Sequence, residues 1–121
     1  MCKVTKIIAN WAVREQVIRA VNALHAKEDV GIAALSLGEN KDQAETVMDV
    51  LELCARDIMV MQDSDGDVIQ TDIQHMLPVD RFSGAGMLQA VMEARRRLSS
   101  NVSWQSVAEM LFFEMLDKKR F

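Results

Sequence analysis

The chain predicts an all-α fold, and three features of its 121 residues carry that expectation. Apolar residues recur at spacings of three and four along most of the length, the period of a helix with one face in a core. No stretch alternates apolar and polar residues between turn signals in the way of a half-buried strand. Proline occurs once, at Pro78, so little interrupts helices elsewhere. The length fits one domain, residues 1–121, and about five main helices plus one short one account for the pattern.

The N-terminal segment places Ile7, Ile8, Trp11, Val17, Ile18, Val21 and Leu24 at helical spacing. A helix is expected from about residue 11 to 27, extending back toward Thr5 unless Asn10 caps a fresh start at Trp11. Asp29 offers an N-cap for a short helix, Val30 to Leu37, apolar all round and therefore expected to be buried on most sides. Gly38 then suits the position after a helix end.

Asn40, Lys41, Asp42 and Gln43 form a start signal, with Asn40 as cap, Gln43 at the third helical position and Asp42 at the positive end of the dipole. The helix they open should reach about Gln62, with Ala44, Val47, Met48, Leu51, Cys54, Ala55 and Ile58 as its stripe. Leu53, Val60 and Met61 lie off that stripe, which predicts a central helix with neighbours on two sides.

Residues 63–72 read as a polar loop. Thr71 or Asp72 could cap a helical turn running through Leu77 and stopped by Pro78. Ser83, Gly84, Ala85 and Gly86 lead into a helical pair, Met87 to Leu98 and Trp104 to Met115. The first carries Met87, Val91, Ala94 and Leu98, widened by Leu88 and Met92. The second carries Trp104, Val107, Ala108, Leu111, Phe112 and Met115. Joined by a short polar connector, the two should pack antiparallel and bury their stripes.

Composition narrows function. A net charge of −4 argues against broad attraction to nucleic acid. Two distant cysteines with no C-x-x-C spacing fit a reducing, cytoplasmic compartment. No signal peptide or long apolar span is evident. Nine methionines suit irregular cores and adaptable contact surfaces.

Candidate chemistry does not assemble. Asp63-Ser64-Asp65-Gly66-Asp67 resembles part of a calcium loop, but counting from Asp63 puts glycine fourth and Gln74 twelfth, where the EF-hand needs glycine sixth and Glu twelfth. An acidic surface turn is the better reading. Gly84-Ala85-Gly86 lacks the third glycine of a dinucleotide fingerprint, Gln89 standing there, and no Walker-type phosphate loop occurs. His25, near a helix end, and His75 have no Cys or His at ligand spacing. Cys54 falls on the apolar stripe and reads as a small buried hydrophobe. Arg95, Arg96 and Arg97 sit near a helix C-terminus, where cations complement the dipole. No catalytic residue, cofactor or metal site is expected, and the residues alone point to a helical interaction domain.

The order of segments resembles the C-terminal domain of the bacterial DNA polymerase III delta-prime subunit, shared more loosely with gamma/tau. Arg56-Asp57 stands near the end of the long central helix, as in that family, and an acidic loop follows. Leu98 and Asn101 match the junction L-x-x-N-x-N before the last helix, with Ser103 in place of the second Asn, and Glu109 matches the glutamate of that helix. The resemblance implies a collar-like bundle at the C-terminus of a longer AAA+ protein, whose ATPase module lies outside this chain. It implies partners among the other clamp-loader subunits, delta and gamma/tau, with the sliding clamp and primed DNA reached only through the full complex. Within that expectation Met110 and Phe113, off the core stripe of the last helix, become the candidate subunit interface. Two other readings are a small adaptor that binds protein outside replication, and a weak nucleic-acid binder using 95–97 and 118–120.

Overall fold

In the computed structural model, which describes residues 3–38, 41–63 and 66–118, six α-helices and three 3-10 segments form the described chain, with no strand. The order is α1 (Lys3–Ala9), α2 (Trp11–Asn22), a 3-10 turn (Lys27–Asp29), α3 (Val30–Gly38), a 3-10 turn (Lys41–Gln43), α4 (Ala44–Asp63), a 3-10 helix (Thr71–Met76), α5 (Gly84–Leu98) and α6 (Trp104–Asp117). The protein is thus all-α, as the periodicity predicts.

Helix α4 is the axis. It packs on α5 and α2 and touches α1, while α3 lies between α2 and α6, and α6 also packs on α5. Every residue of its predicted stripe is buried, and Val50, Leu53 and Asp57 are buried beside it, so α4 has neighbours on more than one side. One continuous apolar cluster runs from Ile7 to Leu116.

The N-terminal segment resolves into two helices and ends sooner than expected. Asn10 does cap a fresh start, its Oδ1 accepting from the Val13 amide at 3.3 Å, so α1 and α2 are separate helices. Helix α2 stops at Asn22, well short of residue 27. The reason is Asp29: its carboxylate accepts from the backbone amides of His25 and Ala26, each at 3.0 Å, which fixes a turn where further helix would have to run. Asp29 therefore serves the preceding turn and does not cap α3. Gly38 is the last residue of α3 itself, while Asn40 lies outside the described residues.

Burial corrects the reading of α3. Val30, Ala33, Ala34 and Leu37 are buried, but Ile32 is 77% exposed and Leu35 is also exposed. A nine-residue helix flanked by α2 and α6 turns one side inward, and no described element covers the other. Trp11, placed by spacing on the α2 stripe, is likewise exposed at 46%. Met92 stands 61% exposed on α5, and Ala90 takes the buried position instead.

The start of α5 approaches α4 closely. A Cβ on Gly84 would lie 2.4 Å from the Met59 backbone nitrogen, so only glycine lets the start of α5 press onto α4. Gln62 fastens the same point. Its Oε1 accepts from the Gly84 amide at 2.9 Å, and its Nε2 donates to the carbonyls of Val79 (2.9 Å) and Phe82 (2.7 Å). Gly84, the first residue of α5, thus makes the helix crossing, with Ser83 capping at Gly86. In α6 all six stripe residues are buried, as predicted, and Ser103 caps the helix at Ser106.

Candidate interaction surfaces and a buried polar seam

The α5–α6 hairpin holds most of the residues that the resemblance singles out. Leu98 is partly buried and packs against the core, so it ends the α5 stripe in a structural role. Asn101 is exposed in the connector. Glu109 is half-buried on α6 and accepts from the Gln105 side chain at 3.3 Å, one helical turn back. Met110 and Phe113 are 37% and 40% exposed on the side of α6 opposite its buried stripe. They form an outward apolar pair on a helix whose other face is committed to the core.

The basic run at the end of α5 is charge-matched. Arg95 reaches Asp49 at 2.7 Å, with Glu45 and Glu52 at 3.4 and 3.5 Å across the α4–α5 seam. Arg97 pairs with Glu114 of α6 at 2.6 Å, and Arg96 with Glu93. The Arg95 and Arg97 pairs tie α5 to its neighbours, and together with the Arg96–Glu93 pair inside α5 they leave little uncompensated positive charge for a phosphate backbone. Lys119 and Arg120 of the second basic cluster lie outside the described residues.

Arg56 and Asp57 play unlike parts. Arg56 is exposed and sits 3.7 Å from Glu52 on the surface of α4. Asp57 is buried, and its carboxylate accepts from the backbone amides of Ile69 (2.8 Å) and Gln70 (3.0 Å) and from the Gln70 side chain (3.3 Å). Gln70, also buried, accepts from Arg14 Nε at 3.2 Å and donates toward Cys54 Sγ at 3.4 Å. Arg14 is 2% exposed. Its guanidinium donates to the Ile8 carbonyl at 3.0 Å and to both Asp72 oxygens at 3.0 and 2.8 Å, while lying 5.5 Å from the Trp11 ring centre.

This seam lies outside what the helical spacing predicts. Asp72, expected as a helix cap, turns to Arg14 instead, and Gln70 at the cap position makes no side-chain capping bond. A signal existed in the sequence: Arg14, Val17, Ile18 and Val21 stand at spacings of three and four, which puts Arg14 itself on the apolar stripe.

Electrostatics follow from these bonds. Hydrogen bonds from Arg14 hold the Asp72 carboxyl below its ordinary value. Burial pushes the Cys54 thiol up to about 11, so it is an uncharged core group and a poor nucleophile while covered. Among the described residues every buried side-chain nitrogen and oxygen has a partner. No group of three or more His, Cys, Asp or Glu could hold a metal ion among them. His25 lies beyond the end of α2 with its ring near Arg81, and His75 is exposed on the 3-10 helix.

Two surface grooves flank the exposed ridge of α2. One, of about 370 Å³, lies between α2 and α3, with Ala12, Ala20, Ala23 and Ala33 among its walls and Ile32 and Arg19 at its edge. The other, of about 300 Å³, runs between Trp11 and Met76 over Ile18. Both are open and largely apolar, unlike an enclosed site with converging polar groups. Among the described residues no helix is long and apolar enough to cross a membrane. No family profile, curated protein sequence or solved structure matches the chain.

Proposed function

We propose that this chain is a subunit-assembly domain of the clamp-loader collar type, which holds neighbouring subunits of a replication complex in place and performs no chemistry itself. The observation that carries the reading is the exposed pair Met110 and Phe113 on α6. Large apolar side chains held outward by a helix anchored through its opposite face suit a rigid contact with a neighbouring domain. The Arg56-Asp57, Leu98, Asn101 and Glu109 pattern points to the same family. On this reading ATP and the sliding clamp are handled elsewhere in the complex, in the cytoplasm, and delta and gamma/tau subunits are the direct partners.

The test is assembly with purified bacterial delta and gamma/tau subunits, followed by size-exclusion chromatography. The native chain should co-elute, and a Met110→Asp, Phe113→Asp double variant should not, while keeping its helical circular dichroism and melting temperature. A native chain that never co-elutes defeats the collar reading and favours the adaptor outside replication. Salt-dependent binding of the isolated chain to primed DNA would favour the nucleic-acid reading instead.

A further inference from the structure

We propose that the segment 69–77 is a strap that undocks from α2 and α4 as one unit, uncovering Cys54 while the α5–α6 half of the molecule stays folded. The strap contains the 3-10 helix Thr71–Met76. Its apolar anchors are few: Ile73 and Leu77 are buried, whereas Ile69, Thr71, Asp72, Gln74, His75 and Met76 are exposed. What holds it is mainly polar. Asp57 grips the amides of Ile69 and Gln70, Arg14 grips Gln70 and Asp72, and Asn22 Nδ2 donates to the Met76 carbonyl at 3.0 Å.

Such attachment favours release as a unit. Hydrogen bonds to water replace part of what the strap loses on undocking, so even these charge-assisted bonds hold it with a modest net stability. The apolar burial that sets global stability lies mostly in α4, α5 and α6. The bonds also share members: Gln70 touches Arg14, Asp57 and Cys54 at once, so displacing it breaks them together. The downstream limit is sharp. Immediately after Leu77 the chain is pinned again, by Gln62 to the carbonyls of Val79 and Phe82, and by Arg81 to those of Asn22 and Leu24.

Beneath the strap is a narrow apolar cleft bounded by Val17, Val21, Cys54, Ile58, Leu77 and Pro78. Undocking opens this cleft between α2 and α4. Cys54 is the internal reporter: covered and protonated in the docked state, it meets solvent once Gln70 and Leu77 leave.

The experiment uses the full chain with Cys2→Ser, so that Cys54 is the sole thiol. Its reaction with an aromatic disulfide reagent and the hydrogen exchange of the Ile69 and Gln70 amides are followed across low denaturant concentrations. The strap requires both to occur with the same opening equilibrium and a shallow denaturant dependence, at least ~100-fold more readily than global unfolding allows. Asp57→Asn should speed both by roughly tenfold or more. Val107→Ala, a smaller deletion from the core of the other half that stays within the margin over global unfolding, should leave both rates in native buffer unchanged. Cys54 reacting only with the denaturant slope of global unfolding would overturn the proposal. So would free exchange of the two amides without Cys54 exposure, or equal acceleration by Val107→Ala. If Asp57→Asn fails to fold, the native slopes still decide.

Discussion

The two sides of α4 are built on different physics. Toward α5, with α6 packed on it in turn, the contacts are apolar stripes meeting stripes, fitted by Gly84 and fringed by partly exposed ion pairs. Toward α2 and the 3-10 helix the contact includes a buried guanidinium, a buried carboxylate and a glutamine between them. The first kind of contact tolerates change in proportion to the volume lost. In the second, removing one partner leaves others desolvated and unpaired, so the penalty depends on which bonds remain.

The largest loss should come from the apolar side. Phe112→Ala empties a fully buried site and should cost about 3–5 kcal/mol by denaturant unfolding. A loss under ~1 kcal/mol would mean that α6 repacks freely, contrary to a tightly fitted hairpin. Gly84→Ala adds one methyl where the Met59 backbone stands and should cost about 1–3 kcal/mol, with α5 displaced from α4. A neutral outcome would show that the crossing has slack.

On the polar side, Asp57→Asn keeps the shape but removes the charge that accepts three hydrogen bonds. It should cost about 1–3 kcal/mol, and a stabilising effect would remove the seam from the set of things that hold the fold. The smallest effect is acid sensitivity through Asp72. Its folded carboxyl titrates below the ordinary value of 3.8, so its contribution is full above that value and fades as pH falls through the lower folded value. Asp72→Asn should flatten that part of the stability–pH curve, and an unaltered curve would locate the acid sensitivity elsewhere.

The contrast also explains what the residues disclosed in advance. The stripes of α4 and α6 were readable because their burial follows a single period, and every predicted stripe residue there is buried. Met92 and Trp11 were misplaced because a stripe can be wider than the neighbour that covers it. Ile32 was misplaced because a helix apolar all round carries no marker of its outward side. The Arg14 seam joins residues about sixty positions apart, and local patterns report no such pairing, although the position of Arg14 on a stripe did mark it as unusual. For the proposed interface, Met110 and Phe113 were placed off the core by spacing, and they are exposed.

One bond sets a condition on how the molecule is made. The Trp104 indole nitrogen donates to the Leu37 carbonyl at 2.7 Å, joining the first residue of the last helix to the end of α3. Helix α3 packs on α2 and α6, so during synthesis it waits with one flank open until α6 leaves the ribosome. The central helix and its partners can gather early, but α3 closes only when the final helix arrives. A chain cut off in the connector near Asn101 would lose α6 and leave α3 packed on α2 alone, baring apolar surface on α3 and α5 for other chains to find.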